Sequence, residues 1–555
     1  MDVVIKGKGR FSLNQKDFVA AGGQGKIFRK GNTAFKLYDD VRSMIPVGKI
    51  MELARLTLPN IIRPQDVLLD SKATPIGYTM RFLKDSYALC QLFPKAFRER
   101  MGVKPAAVLK LVRKLQAIVS HVHAHDILIV DLNEMNFLVD DSFDDVYAID
   151  CDSWQTPGFP ATAIMDSIRD PHAKRFSQET DWYSFGIVSF QAIVGIHPFK
   201  GKHPKLKTME ERMMKNVSVF NPDVSIPAVC YPFANIPESY RDWFKAVFED
   251  GKRLPPPADI QAVVAVVRQA RIAGSDNFVI VKLRTFDDGV VRFDPITRHA
   301  VTEKGVHSDH RLEMGFDGRP PALGATPHGK VIAASAKGGK IELFNVSQGV
   351  PLPSSLLADS IMDYEGRLYY KHGDRLFEMI FLETGTNIFV GQHEVCQVLD
   401  HATRLFDGVA IQSVLGACFV SFFPATKTCQ QVHVKELDGH RIHDAKFDNG
   451  VLMVVAFKAG KYDRHLLRFD GQAYDHVVEH DVGPVGLNFV TLPSGICVLL
   501  DEKDELRLFS NRKDSASSKS FSDPVLDGSM RLFRDGNKVL FAKDAELYSM
   551  EVKKS

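Results

Sequence analysis

The stretch "IVDLNEMNFLVDDSFDDVYAIDCDSWQ", residues 129–155, places polar side chains around two apolar, strand-like runs. Asp131 and Asn136 stand five residues apart before the first run, and Asp150 follows fourteen residues later, where the second run ends. A carboxylate just past a buried strand is costly unless a cation neutralises it. The second run ends in two aspartates, Asp150 and Asp152, so the sequence predicts a cationic partner at this point.

Two upstream segments predict a helix and a glycine-rich hairpin. In "PAAVLKLVRKLQAIVSHVHAHD" (105–126), apolar residues recur at helical spacing, and Pro105 suits a first helical turn. The segment "FVAAGGQGKIFRKGNTAFKLY" (18–38) has the pattern of a strand, a glycine turn and a second strand that carries Lys36. Glycines let backbone N–H groups approach phosphate oxygens, because no Cβ intervenes. By itself this segment also fits a plain β-hairpin.

The glycine turn, the strand lysine, the D-x₄-N pair and the strand-terminal aspartate occur in one order along the chain. This order resembles the protein kinase family, in its divergent bacterial form more than the eukaryotic one. The resemblance covers roughly residues 10–270. Its most specific part is "SQETDWYSFGIVSFQAIVGIHPF" (177–199), which is similar to a kinase large-lobe helix. It implies an α+β bilobal protein-kinase-like domain at about 1–272, with a small lobe at about 1–84 and a large lobe at about 85–272.

The resemblance implies catalytic and nucleotide-binding roles for matched positions. Lys36 would orient the phosphates of ATP, Glu52 would hold Lys36 in place, and Asp131 would orient the acceptor hydroxyl and accept its proton. The positions matched to ATP binding are Gly22, Gly23, Gly25 and Ile27 in the glycine turn, Lys36 on the next strand and Met80 near the hinge. The cofactors implied are therefore ATP and Mg²⁺.

Three further positions have metal-binding or structural roles by the same resemblance, and a fourth polar position has none. Asn136 and Asp150 would present oxygen ligands to Mg²⁺. Asp152 has no family role, and it could either add a metal ligand or hydrogen-bond nearby backbone. Asp181 would brace the catalytic loop.

The chain departs from the family pattern at several places. The usual HRD triplet reads Ile129-Val130-Asp131, so we expect activity that does not depend on a phosphorylated activation loop. Asn133 replaces a lysine that neutralises the transferred group, Asp152 replaces the glycine of DFG, and no glutamate follows Pro171. Two hypotheses follow: an active protein kinase that modifies Ser or Thr in preference to Tyr, and a pseudokinase or scaffold that binds nucleotide or partners without phosphoryl transfer.

The second half of the chain, from about residue 273 to 555, is predicted to be all-β. Five segments read as strand, tight polar turn and strand: 329–346, 365–381, 449–470, 494–510 and 536–550. Their spacing of about forty residues is typical of propeller blades, and the length suits six or seven of them. The prediction is a multidomain chain with a C-terminal β-propeller that docks a protein substrate. A pair of β-sandwiches is the alternative.

Bulk composition argues against several classes of function. The 555 residues carry a formal net charge of only +2, so neither a nucleic acid nor a membrane surface is an expected partner. Seven scattered cysteines form no CxxC spacing, which disfavours a zinc knuckle or a disulfide framework. The first residues lack the apolar run of a signal peptide, so we expect a soluble, cytoplasmic protein.

Overall fold

The chain divides into two compact units that differ in secondary structure. The computed structural model describes residues 1–5, 8–22, 25–161, 164–257, 274–308, 311–385, 387–423 and 429–553. Unit 1 comprises Met1–Arg98 and Val103–Val267, and unit 2 comprises Glu99–Gly102 and Arg268–Ser555. Unit 1 contains both helices and strands, whereas the C-terminal region is all-β in its described part, so the prediction of a multidomain chain with an all-β C-terminal region is confirmed.

A seven-stranded antiparallel sheet forms the first part of unit 1. Its strands are β1 (Asp2–Ile5), β2 (Gly9–Ser12), β3 (Phe18–Gly22), β4 (Gly25–Lys30), β5 (Thr33–Tyr38), β6 (Val67–Leu69) and β7 (Pro75–Arg81). They are ordered β2-β1-β6-β7-β5-β4-β3, and helix α1 (Val47–Leu53) follows β5 in the chain. Strand β5 lies between β4 and β7, and five of its six residues are buried. The lysine on this strand, Lys36, therefore lies in the interior of the unit.

Two glycines allow the strands around β5 to approach it closely. A Cβ at Gly25 would lie 2.1 Å from the carbonyl oxygen of Leu37, and a Cβ at Gly77 would lie 2.0 Å from that of Lys36. No side chain fits at either distance, so both positions require glycine.

The rest of unit 1 is mostly helical. A three-stranded sheet is ordered β10-β9-β8 and consists of β8 (Ser86–Ala88), β9 (Phe137–Asp140) and β10 (Val146–Ala148). The helices are α2 (Lys95–Met101), α3 (Pro105–His123), α4 (Gln178–Val194), α5 (Met209–Met214) and α6 (Glu238–Phe248). The helix predicted from Pro105 onward is confirmed as α3. Helix α4 is capped by Ser177 and is buried from Thr180 to its end, as its nearly continuous apolar composition requires.

The described part of unit 2 forms seven four-stranded antiparallel sheets. The strands are β11 (Phe278–Thr285), β12 (Val290–Phe293), β13 (His299–Thr302), β14 (Gly305–Ser308), β15 (Arg311–Gly315), β16 (Ala322–Ala325), β17 (Val331–Lys337), β18 (Lys340–Asn345), β19 (Val350–Leu352), β20 (Ser360–Tyr364), β21 (Arg367–His372), β22 (Arg375–Thr384), β23 (Asn387–Gln397), β24 (Thr403–Phe406), β25 (Val409–Val414), β26 (Ala417–Phe422), β27 (Gln430–His433), β28 (Arg441–Asp448), β29 (Val451–Lys458), β30 (Lys461–Asp470), β31 (Ala473–Glu479), β32 (Phe489–Thr491), β33 (Ile496–Leu500), β34 (Glu505–Ser510), β35 (Ser518–Ser522), β36 (Arg531–Asp535), β37 (Lys538–Lys543) and β38 (Glu546–Val552). Six sheets contain four consecutive strands each, from β12–β15 to β32–β35. The seventh joins the first strand to the last three, in the order β11-β38-β37-β36.

The five hairpins predicted from the sequence are confirmed. Each supplies the two central strands of a sheet: β17–β18, β21–β22, β29–β30, β33–β34 and β37–β38. In the first of them, Gly338 and Gly339 have φ of 58° and 75°. Positive φ at both central positions is what a two-residue turn between twisted strands requires.

Hydrophobic cores in unit 2 combine residues from successive sheets. Sheet β12–β15 shares a core with β16–β19, which shares another with β20–β23, and the pattern continues through β32–β35. The sheet containing β11 shares a core with β32–β35 on one side and with β12–β15 on the other. Among the described residues, no helix in either unit has the length and hydropathy to cross a bilayer.

Candidate functional site

The ammonium group of Lys36 lies between two carboxylates in unit 1. Its Nζ is 2.6 Å from Oδ2 of Asp152 and 3.6 Å from Oδ1 of Asp150, and the lysine side chain is only 9% exposed. The hydroxyl of Tyr38 donates to the same Oδ2 of Asp152 at 2.6 Å. Burial by itself lowers the pKa of Lys36, but the charges of Asp152 and Asp150 outweigh burial and raise the pKa above its ordinary value. Lys36 is therefore an ammonium ion, and it provides a positive charge beside both aspartates.

The two aspartates after β10 occupy different surroundings. Asp150 adopts a left-handed backbone conformation, with φ 57° and ψ 35°, and begins a short 3₁₀ turn over Cys151–Ser153. Its side chain is 45% exposed, whereas that of Asp152 is 4% exposed. Burial opposes ionisation of Asp152, yet Lys36 and then Tyr38 stabilise its charged form and lower its pKa. Asp150 thus faces the solvent-accessible part of the site, and Asp152 faces the interior.

Glu52 does not contact Lys36, which differs from the sequence expectation. Its Oε2 accepts a hydrogen bond from the backbone of Gly158 at 3.1 Å, outside the Lys36 cluster. The physical reason is the orientation of α1, whose buried face carries Lys49, Ile50 and Leu53. Glu52 lies one turn after Lys49, at the margin of this face, and is only partly buried. Asp152 occupies the place beside Lys36 that the resemblance assigned to Glu52.

Asp131 and Asn136 contact each other in the loop before β9. The Nδ2 of Asn136 donates to the backbone oxygen of Asp131 at 3.0 Å and to its carboxylate at 3.2 Å. Asn133 donates to the same carboxylate at 2.9 Å, and the backbone N–H of Met165 donates to its other oxygen at 2.8 Å. The backbone oxygen of Asn136 accepts from Ile149 at 2.9 Å, which ties this loop to the Asp150 turn.

Asp181, at the start of α4, holds the backbone that leads into Asp131. Its carboxylate is fully buried and accepts from the N–H groups of Ile129 at 2.8 Å and Val130 at 2.9 Å. The Nε2 of His123 lies 2.9 Å from the same carboxylate. Val130 has φ 62°, a left-handed conformation that is strained for a β-branched residue and that these contacts stabilise.

The residues expected to surround a nucleotide are placed as follows. Gly22 ends β3 and pairs with Gly25 at the start of β4, while Gly23 lies outside the described residues. Ile27 pairs with Lys36 across β4 and β5. Met80, on β7, pairs with Ala34 and is partly buried.

Sequence reasoning missed two contributors to this region. Tyr38 has a detectable signal, because residues two apart on a strand point to the same face and Tyr38 follows Lys36 at that spacing. The other is Asp170, whose carboxylate accepts two hydrogen bonds from Arg253, at 2.5 and 2.7 Å. No glutamate follows Pro171 in the sequence. The carboxylate that pairs with Arg253 is instead that of Asp170, directly before this proline.

The oxygen set around Asp150 fits a magnesium ion better than a transition metal. No group of three or more His, Cys, Asp or Glu side chains in the described parts of the chain is arranged to hold a metal by itself. Magnesium usually takes one or two protein oxygens and completes its shell with water and phosphate. The Asp150 side chain is half exposed and the amide nitrogen of Asn136 is turned toward Asp131, so a carboxylate oxygen and an amide oxygen are left as donors of this kind.

Comparison with known proteins gives no family assignment. No protein-family model matches the chain, and a search of curated proteins finds no significant match. Function is therefore inferred from the geometry of unit 1.

Proposed function

We propose that this chain is an ATP- and Mg²⁺-dependent protein kinase that transfers the γ-phosphoryl group to a protein hydroxyl, on Ser or Thr in preference to Tyr. The observation that carries the proposal is a continuous series of side-chain and backbone contacts that connects the four residues such a reaction requires. Lys36 contacts Asp150, Ile149 beside Asp150 donates to the backbone of Asn136, and Asn136 donates to Asp131.

Asp131 would act on the acceptor hydroxyl. Its carboxylate is oriented by Met165, Asn133 and Asn136, so it cannot rotate freely. A carboxylate held this way aligns the attacking oxygen and accepts its proton late in the transfer. Asp181 supports this position indirectly by fixing the preceding backbone.

The remaining side chains would hold the nucleotide and its metal. Lys36 would bind phosphate oxygens as a point charge, and the glycines at the paired ends of β3 and β4, Gly22 and Gly25, would let backbone N–H groups approach them. Asn136 and Asp150 would hold Mg²⁺ through hard oxygen atoms. When bound, Mg²⁺ neutralises the charge that develops on the transferred group. The Asp150 side chain is half exposed, so it can bind the metal without breaking a buried ion pair.

We further propose the domain architecture that accompanies this activity. Residues 1–272 would form a bilobal kinase-like domain and residues 273–555 a seven-bladed β-propeller in a cytoplasmic protein. The cyclic sharing of hydrophobic cores supports the propeller, because each sheet packs on the next and the seventh also packs on the first. A pair of β-sandwiches would instead group the sheets into two separate cores.

The propeller would dock the protein substrate or partner, in keeping with the use of such folds as binding platforms. The test compares the full chain with residues 1–272 on two acceptors, a generic basic protein and the target recovered from cell extract. We expect similar transfer to the generic acceptor and at least about tenfold weaker transfer to the target, as loss of a docking contact would give. Equal modification of the target by both would contradict the docking role.

The second candidate function is a pseudokinase or scaffold, which one observation favours. The ammonium group of Lys36 is buried and already neutralised by Asp152, so it has a protein partner without any phosphate. Such a protein would bind nucleotide or partners and transfer nothing.

Transfer from γ-labelled ATP separates the two candidates. Wild type should label a protein acceptor in the presence of Mg²⁺, and Asp131→Asn should reduce labelling by about 100-fold or more. Asp144→Asn is the matched control, because Asp144 pairs with Lys110 on the surface. Equal background labelling by wild type and Asp131→Asn would reject the kinase. A thermal shift with Mg²⁺-ATP would then distinguish a nucleotide-binding pseudokinase from a scaffold.

A further inference from the structure

We infer that Asp152, and not Glu52, is the carboxylate that positions Lys36 for phosphoryl transfer. The inference rests on the proposed kinase function and adds a positioning residue to it. Asp152 acts through Lys36 and is not expected to touch the substrate.

The first support is the geometry of the pair. Oδ2 of Asp152 lies 2.6 Å from Nζ of Lys36, and both side chains are at least nine-tenths buried. A charge-assisted contact of this length, shielded from water, restricts both partners to one arrangement. Glu52 binds the backbone of Gly158 and makes no ion pair with Lys36.

The second support is that other groups hold Asp152 and Lys36 in place. The Tyr38 hydroxyl donates to Oδ2 of Asp152 at 2.6 Å. The ammonium group of Lys36 also lies 5.4 Å from the centre of the Tyr38 ring and 5.7 Å from that of Tyr78, within the range of cation–π attraction. These rings close the pocket around the ammonium group, so Lys36 extends along one path from β5.

The arrangement has a consequence for regulation. Asp152 lies two residues after Asp150, on the same 3₁₀ turn. The anchor of the lysine and the proposed metal ligand therefore lie on one turn, and α1, which packs against that turn, would affect the alignment of Lys36 through Asp152 and not through Glu52. Glu52 instead connects α1 to the segment at Gly158.

Asp152 is a poor candidate for a metal ligand. Its side chain is 4% exposed, and Oδ2 already accepts from two donors. The neighbouring Asp150 is 45% exposed. A metal ion would reach Asp150 first.

The kinetic test compares Asp152→Asn, Glu52→Gln and Tyr38→Phe as full chains. We expect Asp152→Asn to lower kcat about 100-fold and Tyr38→Phe about 3- to 10-fold, while Glu52→Gln stays within about threefold of wild type. The half-saturating Mg²⁺ concentration should not change in Asp152→Asn. A loss in Glu52→Gln as large as that in Asp152→Asn would overturn the inference, and so would a raised Mg²⁺ requirement in Asp152→Asn.

A thermal-unfolding cycle tests the pairing without relying on activity. Lys36→Met and Asp152→Asn should each lower Tm, and the double variant should be less destabilised than the sum by roughly 4 °C or more. The matched cycle of Lys36→Met with Glu52→Gln should be additive. Additivity for Asp152, or coupling for Glu52, would overturn the inference. A wild type that transfers no phosphoryl group would instead overturn the proposed function, and the cycle would still decide which carboxylate holds Lys36.

Discussion

At the scale of single residues, two identical side chains have different roles because a short turn places them in different surroundings. Asp150 and Asp152 are separated by one cysteine, yet one is half exposed and the other is buried against Lys36. A 3₁₀ turn rotates the chain by roughly a third of a turn per residue, so side chains two apart diverge. Position also decides the role of Asp170. Its carboxylate binds Arg253, although the sequence has no glutamate after Pro171 that would predict such a pair.

We predict that Arg253→Lys lowers the free energy of unfolding of unit 1 by about 2–3 kcal/mol. Lysine provides a single point donor, so the buried Asp170 carboxylate would lose one of the two hydrogen bonds that it accepts from Arg253. Urea unfolding at pH 7 measures the change. Arg42→Lys is the control, because Arg42 is 91% exposed in its pair with Asp40 and should leave the unfolding curve unchanged. An unaltered curve for Arg253→Lys would show that the pair is not structurally important.

At the scale of elements, close strand packing fixes the position of Lys36. Strand β5 is flanked by β4 and β7, and each neighbour carries a glycine where the backbones are nearest. In unit 2, salt bridges between side chains of different strands also fix the positions of the strands. There, Glu479 on β31 binds Arg464 on β30 and Arg507 on β34, so one carboxylate joins two sheets.

We predict that Gly77→Ala destabilises unit 1 by about 3 kcal/mol or more, because the added Cβ would meet backbone that cannot rotate away. The distance to the carbonyl oxygen of Lys36 would be 2.0 Å. Phosphoryl transfer should fall with stability, since β5 must shift. The control is Gly274→Ala, where an added Cβ has no atom within 4 Å. Thermal unfolding measures both, and equal Tm values would contradict the steric argument.

We predict an acid-dependent contribution from Glu479 to the stability of unit 2. Burial opposes its ionisation, but Arg507 and Arg464 outweigh burial and lower its pKa to about 2. A depressed carboxyl pKa stabilises the folded state above the ordinary pKa of about 4.5 and loses that effect as pH falls toward 2. Glu479→Gln should therefore cost about 1–2 kcal/mol at pH 7, after allowance for solvent screening, and almost nothing near pH 2. Urea unfolding across this range measures it, and a cost independent of pH would refute the assignment.

At the scale of the whole molecule, the ends of the all-β region meet in one sheet. Strand β38 pairs with β37 on one side and with β11, the first strand of the region, on the other. The first strand of the region therefore covers the edge of β38, which otherwise would present unpaired backbone groups to another molecule.

We predict that deleting residues 546–555 abolishes cooperative unfolding of unit 2. The deletion removes β38, leaves β11 and β37 without their partner, and opens two hydrophobic cores. Circular dichroism melting and gel filtration should show loss of the transition and association of the protein. Removing only residues 554–555 is the control and should change neither. A normal transition in the longer deletion would mean that the terminal strands do not close the region.

Much of the architecture could be predicted from local patterns. The helix that begins at Pro105 and the five β-hairpins were predictable, because helical and strand periodicities and turn residues act over a few positions. The proximity of Asp131 and Asn136 also follows from their short separation in one loop. The number of sheets in unit 2 was narrowed to six or seven by length and spacing, and seven are formed by its described residues.

The sequence by itself determined which side chains were available to the proposed phosphate and metal site, since residue type and order along the chain are local properties. Only the tertiary structure decided which carboxylate Lys36 binds. That choice depends on the face that α1 turns inward and on the path of the turn after β10. Glu52 and Asp152 are both acidic and both far from Lys36 in sequence, and burial beside the ammonium group distinguishes them. A long-range ion pair is selected by packing, which no local periodicity encodes.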